Sequence, residues 1–201
     1  MGRAYALRVF NSNQRAGLLG VVAGLSLAAG ACRSHMELAG PRLSQANAMI
    51  GEWSEPSKLA ARAAIEEYGV PDEVHYERFI WNAKGPWRRT VVRNVRPFYV
   101  QDRDPGIVEQ RIKYSLTPAQ AADVAAAFGD RVRFDPQSGE LSARSDREEF
   151  NYLRLNLAHD VMDGTLRPEQ ARDSYARTVS LAESGKSSPD LAGLRFLPGN
   201  D

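Results

Sequence analysis

Apolar residues recur at helical spacing at both ends of the folded part of the chain, with a stretch of alternation between. Leu43, Ala46, Met49 and Ile50 lie three or four residues apart, and Gly51 stops the run. Ser54-Glu55-Pro56 opens a second helix with a stripe of Leu59, Ala60, Ala63, Ala64 and Tyr68. Gly69 is placed as its C-cap. Residues 73–82 and 87–95 are rich in β-branched and aromatic residues and flank the turn signal Lys84-Gly85-Pro86. They predict a hairpin with Trp81 opposite Trp87. A loop over 96–106 carries two prolines. Residues 107–116 then alternate as a third strand, with Val108, Gln110, Ile112 and Tyr114 on one face.

The last third is mainly helical. Thr117-Pro118-Ala119-Gln120 is a capping box with proline at the first helical position, and that helix runs to Phe128. Residues 131–134 and 140–143 flank Asp135-Pro136-Gln137-Ser138-Gly139 as a small hairpin. Ser145-Asp146-Arg147-Glu148 reads as a second capping box, starting a helix through Met162. A last helix covers 168–182. The order ααβββ-αββαα predicts an α+β domain: an antiparallel sheet of three to five strands packed by helices. The single globular domain spans 42–184, and residues 185–201, rich in Ser, Gly and Pro, are expected to form a loose tail.

The segment before the domain changes the picture. Residues 1–15 are polar and basic, and 16–31 (AGLLGVVAGLSLAAGA) carry no charge. A basic region, a short apolar run and a small-residue cleavage site make a secretory signal peptide over 1–31, followed by a tether over 32–41. A membrane-spanning helix needs ~20 apolar residues, more than this run supplies. Ala29-Gly30-Ala31-Cys32 resembles the lipobox, in which the cysteine after the cut is acylated. Ala29 stands where leucine is usual. Cleavage after Ala31 by ordinary signal peptidase is the competing reading, and an uncleaved anchor a third. Acyl chains on Cys32 would each add ~0.8 kcal/mol per buried CH₂ to membrane affinity.

Composition then narrows the function. The 201 residues carry 26 basic and 25 acidic side chains, a formal charge of +1. Three arginines and no acids fall in the first 31 residues, so the chain from Cys32 onward is slightly acidic. That balance excludes a dedicated nucleic-acid binder. Cys32 is the one cysteine, which excludes an intrachain disulfide and a thiolate zinc cluster.

Two clusters are candidate chemistry. On the helix over 146–162, Glu149, Tyr152, Asn156, His159, Asp160 and Asp163 share one sector. His159 and Asp163, four apart, could share a metal or a proton. The other histidines, His35 and His75, have no evident tie to them, and the plain reading is the solvent stripe of a core helix. In the hairpin, Trp81, Lys84, Trp87, Arg88, Arg89, Arg93 and Arg96 crowd together. Alternation sets Trp87, Arg89 and Arg93 on one face and Arg88 with Arg96 on the other. Arginines among aromatics suit anionic lipid head groups or cell-wall polymer; the structural alternative is pairing with acids such as Glu77 over buried tryptophans. No nucleophile elbow, P-loop, H-E-x-x-H or dinucleotide fingerprint is present. No catalytic residue, metal or cofactor is therefore assigned. The expectation is an exported, lipid-anchored envelope protein with a non-enzymatic binding or scaffolding role, facing the periplasm or exterior. Its partners would be the membrane, through Cys32, and envelope proteins or anionic wall or lipid components. An exported hydrolase or metal-dependent enzyme using His159, Asp160 or Asp163 is the alternative.

A lipobox-like signal, two helices, Tyr68-Gly69-Val70-Pro71, a strand ending in Trp81, a turn and another strand resemble the small outer-membrane lipoproteins of the SmpA/OmlA type. The resemblance covers roughly residues 16–116. It implies two helices packed on an antiparallel sheet and a non-catalytic, lipid-anchored role in outer-membrane protein assembly. The capped helices of the last third depart from that pattern. As a whole, the chain resembles a family of uncharacterised bacterial lipoproteins.

Overall fold

Residues 40–96 and 104–199 are described by a computed structural model. Cys32, the signal segment, the start of the tether, His35 and most of the proline-bearing loop lie outside the described residues. Helix α1 covers residues 40–50 and buries Ala46 and Ile50. Helix α2 (Glu55–Tyr68) follows, with proline in its first turn and Gly69 closing it at φ 76°. The α2 stripe is rotated from the expected one. Ser57, Ala61 and Ala64 face inward, and Leu59 is 66% exposed. A polar anchor sets that rotation: Ser57 Oγ accepts the Val95 N–H at 3.0 Å, so residue 57 must face the sheet.

Six strands form one antiparallel sheet in the order β1-β2-β3-β4-β6-β5. They are β1 (Glu73–His75), β2 (Arg78–Lys84), β3 (Trp87–Arg93), β4 (Val108–Lys113), β5 (Val132–Asp135) and β6 (Glu140–Ser145). The α+β class and helix-packed antiparallel sheet are as expected. The strand count exceeds the expected range because residues 73–82 fold back on themselves at Tyr76-Glu77, pairing His75 with Arg78. No glycine, proline or asparagine marks that turn.

Gly85, at φ 55°, fills the first central position of the β2–β3 loop, with Pro86 after it. That is the two-residue arrangement a tight hairpin requires. Lys84 therefore pairs with Trp87, and Trp81 with Thr90 rather than with Trp87.

Helices α3 (Pro118–Phe128), α4 (Glu148–Met162) and α5 (Pro168–Glu183) complete the fold. The Thr117–Gln120 capping box is formed in both directions. The second expected box is not. Ser145 is the last residue of β6, and its hydroxyl donates to Asn151 Oδ1 instead of accepting from an N–H at the helix start.

Alternation sorts the sheet into two sides. Phe79, Trp81, Val92 and Val108 pack with α1 and α2. Ile112, Leu141, Ala143 and Val132 pack with Val124 of α3 and Leu155, Ala158 and Met162 of α4. Helix α4 also packs on α3 and α5. Its polar sector is no solvent stripe, since Asn156 is fully buried.

What covers that sector is the segment expected to be loose. Asn156 Nδ2 donates to the carbonyls of Asp190 (3.2 Å) and Gly193 (2.8 Å), and its Oδ1 accepts the Arg195 N–H at 2.8 Å. Leu194 and Phe196 pack against the α4 cluster, and Gly199 N–H donates to Lys113 O at 2.8 Å. The composition of 185–199 is that of a loop without helix or strand, but its apolar residues and backbone groups find fixed partners on α4 and β4.

Candidate functional site

The other side of the sheet is polar over β4, β5 and β6, while over β2 and β3 it carries the buried Ile80 and Val91 among its charges. In β4 the outward residues are Glu109, Arg111 and Lys113, and in β6 they are Glu140, Ser142 and Arg144. Pairing lines these up across strands. Arg89 stands opposite Arg111, Arg111 opposite Ser142, and Ser142 opposite Arg133, giving one row over β3, β4, β6 and β5. Glu109 stands opposite Arg144, and on β2 and β3 Arg78 stands opposite Arg93. Arg111, Asp130, Arg131, Arg133, Glu140 and Arg144 line a shallow cavity of about 380 Å³ here.

A ladder of ion pairs holds these side chains. Glu109 bridges Arg93 at 3.0 Å and Arg111 at 2.7 Å, and Arg111 reaches Glu140 at 3.7 Å. Arg144 pairs with Asp130 at 3.0 Å and Arg89 with Glu73 at 3.9 Å. Arg133 has no ion-pair partner recorded among the described residues. Burial alone would push the Glu109 carboxyl up, but Arg93 and Arg111 outweigh it and hold it below the usual carboxylate range. The stability this gives is present above the ordinary carboxylate range and lost as pH falls through the depressed value. Glu109→Gln should therefore cost about 1–2 kcal/mol at neutral pH. The gap from wild type should narrow in acid, as pH falls through the depressed value and the Glu109 carboxyl loses its charge. Urea midpoints at neutral and acid pH check this; a gap that widens in acid contradicts it.

The face gathers some of the sequence candidates and not others. Arg89 and Arg93 lie on it. Trp87 does not. It is buried beneath α4, stacked on Tyr152 at 4.9 Å, with Nε1 donating to Glu148 Oε1 at 2.7 Å. The expected shared face for Trp87, Arg89 and Arg93 fails because Ala83, at φ 50°, interrupts the β2–β3 ladder just before the turn. Arg88 is exposed at the start of β3. Trp81 is buried, with Nε1 donating to Gly69 O at 2.9 Å. Arg111, Arg133, Arg144 and Glu109 were missed as site residues. Their signal was the alternation of β4, β5 and β6, of which only the inward half of β4 was read.

His159, Asp160 and Asp163 are engaged in the fold. Tyr114 Oη lies 2.8 Å from His159 Nδ1, and the imidazole stacks on Phe196 at 4.5 Å. Asp160 binds Arg195 at 2.6 Å. Asp163 accepts the Thr165 N–H at 2.9 Å, and the bonds from Thr165 hold its carboxyl below the usual range. Each of the three meets the C-terminal segment or the α4–α5 turn. His75 sits on the edge strand beside Glu73 at 3.1 Å, apart from them. Among the described residues no group of three or more histidine, cysteine or acidic side chains could cage a metal. Among the same residues no helix is long and apolar enough to cross a membrane. No protein-family model, curated protein or solved structure matches the chain.

Proposed function

We propose that this is an exported envelope protein, lipid-anchored through Cys32, that binds an anionic envelope component on the outer face of its sheet and performs no chemistry of its own. One observation carries the binding role: arginines stand directly opposite arginines, at Arg89–Arg111 and Arg78–Arg93. Like charges opposite one another cost stability, about 0.2–1 kcal/mol a pair, and Glu109, Glu140 and Glu73 offset part of that cost here. A phosphate- or carboxylate-bearing polymer or head group would offset that repulsion, and guanidinium groups bind both in two-point fashion. Ser142 lies in the same row and supplies a hydroxyl. Support for the anchor is the placement of the one cysteine directly after Ala29-Gly30-Ala31.

Globomycin, which blocks lipoprotein signal peptidase, should make a precursor containing Cys32 accumulate, and Cys32→Ala should release the protein from membranes. Crosslinking in the same cells should lose its adduct in the Arg111→Glu/Arg144→Glu variant. Unaffected processing with no acyl chain on Cys32 by mass spectrometry would sink the anchor. An unchanged adduct in the charge-reversed variant would sink the binding face.

A further inference from the structure

Among the described residues, β5 closes one end of the sheet and pairs with β6 alone. Two bonds fix which of its backbone groups are free. Gly139 N–H donates to Asp135 O at 2.9 Å, so Asp135 faces β6. Tyr114 N–H donates to Gly139 O at 3.0 Å, and the alternation continued from there turns the bonding groups of Leu141 toward β4. Phe134 stands opposite Leu141, so Phe134 presents its N–H and C=O to the open edge, and Val132 does the same.

Edge strands are commonly blunted by a bulge, a proline or an inward-pointing charge. Within β5 there is none of these. Val132 and Phe134 point into the core, and Pro136 comes only after the last residue of the strand. An apolar groove of about 220 Å³ runs beside the edge, with Val132 and Phe134 on one side and Ala121, Val124 and Ala125 of α3 on the other. Ala125 is exposed and Phe134 only half-buried.

Charge selects what pairs here. Arg133 and Asp135 are exposed on the outer face, two residues apart and of opposite sign. Arg133 has no ion pair among the described residues. The Asp135 carboxylate is held by the Gln137 N–H and the Ser138 hydroxyl, both at 2.9 Å, and a carboxylate retains further acceptor sites for a guanidinium. An antiparallel copy of β5 centred on Phe134 sets each Arg133 opposite the partner's Asp135. The same register brings the edge-facing groups of Phe134 against those of the partner's Phe134, N–H to C=O. Centring the axis on Arg133 would set arginine against arginine and turn the bonding groups away.

We propose that two copies of this chain join edge to edge through β5, as a two-fold pair with Phe134 at the axis and an Arg133–Asp135 ion pair on either side of it. Ala121 and Ala125 are small enough to let the two α3 helices approach beneath the joined edge. The row of Arg89, Arg111, Ser142 and Arg133 would then continue into the partner's row. The pairing itself does not depend on what the outer face binds.

Sedimentation equilibrium of the purified protein tests this, in reducing buffer so that Cys32 cannot link two chains and with no anionic ligand present. A reversible monomer–dimer equilibrium with a micromolar dissociation constant is expected, since the interface is short. Arg133→Asp and Asp135→Arg each set like charges together on both sides of the axis and should weaken association at least about tenfold. An equal mixture of the two variants should associate again, because each arginine then meets an aspartate. Circular dichroism checks that both variants are folded. Independently, Phe134→Cys in a Cys32→Ala background should crosslink under mild oxidation, because the Cα atoms of a bonded antiparallel pair lie about 5.5 Å apart, within disulfide reach. A monomer at every concentration, a dimer that survives Arg133→Asp, a folded mixture no more associated than its components, or no crosslink through position 134 overturns the proposal.

Discussion

Truncation after Ser184 should destabilise the protein by roughly 3 kcal/mol, with no loss of any helix or strand of the sheet domain. The segment removed contains one short turn of 3-10 helix, Pro189–Leu191, and otherwise irregular chain. It nevertheless covers Tyr114, His159 and Leu155 through Leu194 and Phe196. It also supplies all three backbone partners of Asn156, and Arg195 ties Asp160 to Asp190. Burying a Leu or Phe is worth ~1.5–3 kcal/mol when complete, and these two are half-buried. The hydrogen bonds to Asn156 contribute about 1 kcal/mol each. Water can reach Asn156 once the segment is gone, which moderates the loss. A point variant separates the two effects. Asn156→Ala leaves the segment in place but deprives two carbonyls and one N–H, and should cost about 2 kcal/mol. Urea denaturation measures both. An unchanged midpoint after truncation would mean that the segment only rests on the surface.

That segment also shows where the sequence stops being informative. Helices α3 and α5, and the end of α2, were legible because caps and glycines are local signals. Thr117 and Gln120 are three residues apart and satisfy each other. The β5–β6 hairpin and the inward half of β4 were legible because alternation is local too. The missed features all depend on distant partners. Ser145 reads as a cap until Asn151 takes its hydroxyl. Asn156, Asp160 and His159 read as a solvent stripe until residues 190–196 close over them. Trp87 reads either as a ligand-binding aromatic beside Arg89 and Arg93 or as a buried core residue until Ala83 breaks the alternation and Tyr152 stacks on it. The arginine row needed the register of four strands, and β4 pairs with β3 across a long loop and with β6 across α3 and β5, so no local turn announces it. Composition misled in the same way, since Ser, Gly and Pro mark irregular backbone, and irregular backbone can still be packed.

Asn151→Leu should be among the most damaging single changes, at about 3 kcal/mol, although the side chains are of similar size. Asn151 sits at the centre of a polar track between the sheet and α4. Its Nδ2 donates to Gln110 Oε1 at 2.9 Å and to Val108 O at 3.1 Å, and its Oδ1 accepts from Ser145. Gln110 continues to Tyr68 Oη at 3.1 Å, and Tyr68 donates to Glu148 at 2.5 Å. Burial, and then that carboxylate, push the Tyr68 phenol up, so it stays a donor across the accessible pH range. Gln110, Ser145 and Asn151 are all fully buried, so leucine at 151 leaves the Gln110 carbonyl and the Ser145 hydroxyl dry and unpaired and takes one donor from Val108 O. The sign should reverse once the partners go as well. Adding Gln110→Met and Ser145→Ala removes both orphaned groups, and Tyr68 keeps its bond to Glu148. The triple variant should then recover much of the loss, because an apolar replacement of a whole buried network can be nearly neutral. Urea denaturation of the single, double and triple variants measures the coupling. Strict additivity would show that the track is three separate contacts. Recovery in the triple variant would show that it acts as one unit and sets the register of β4 and β6 against α4.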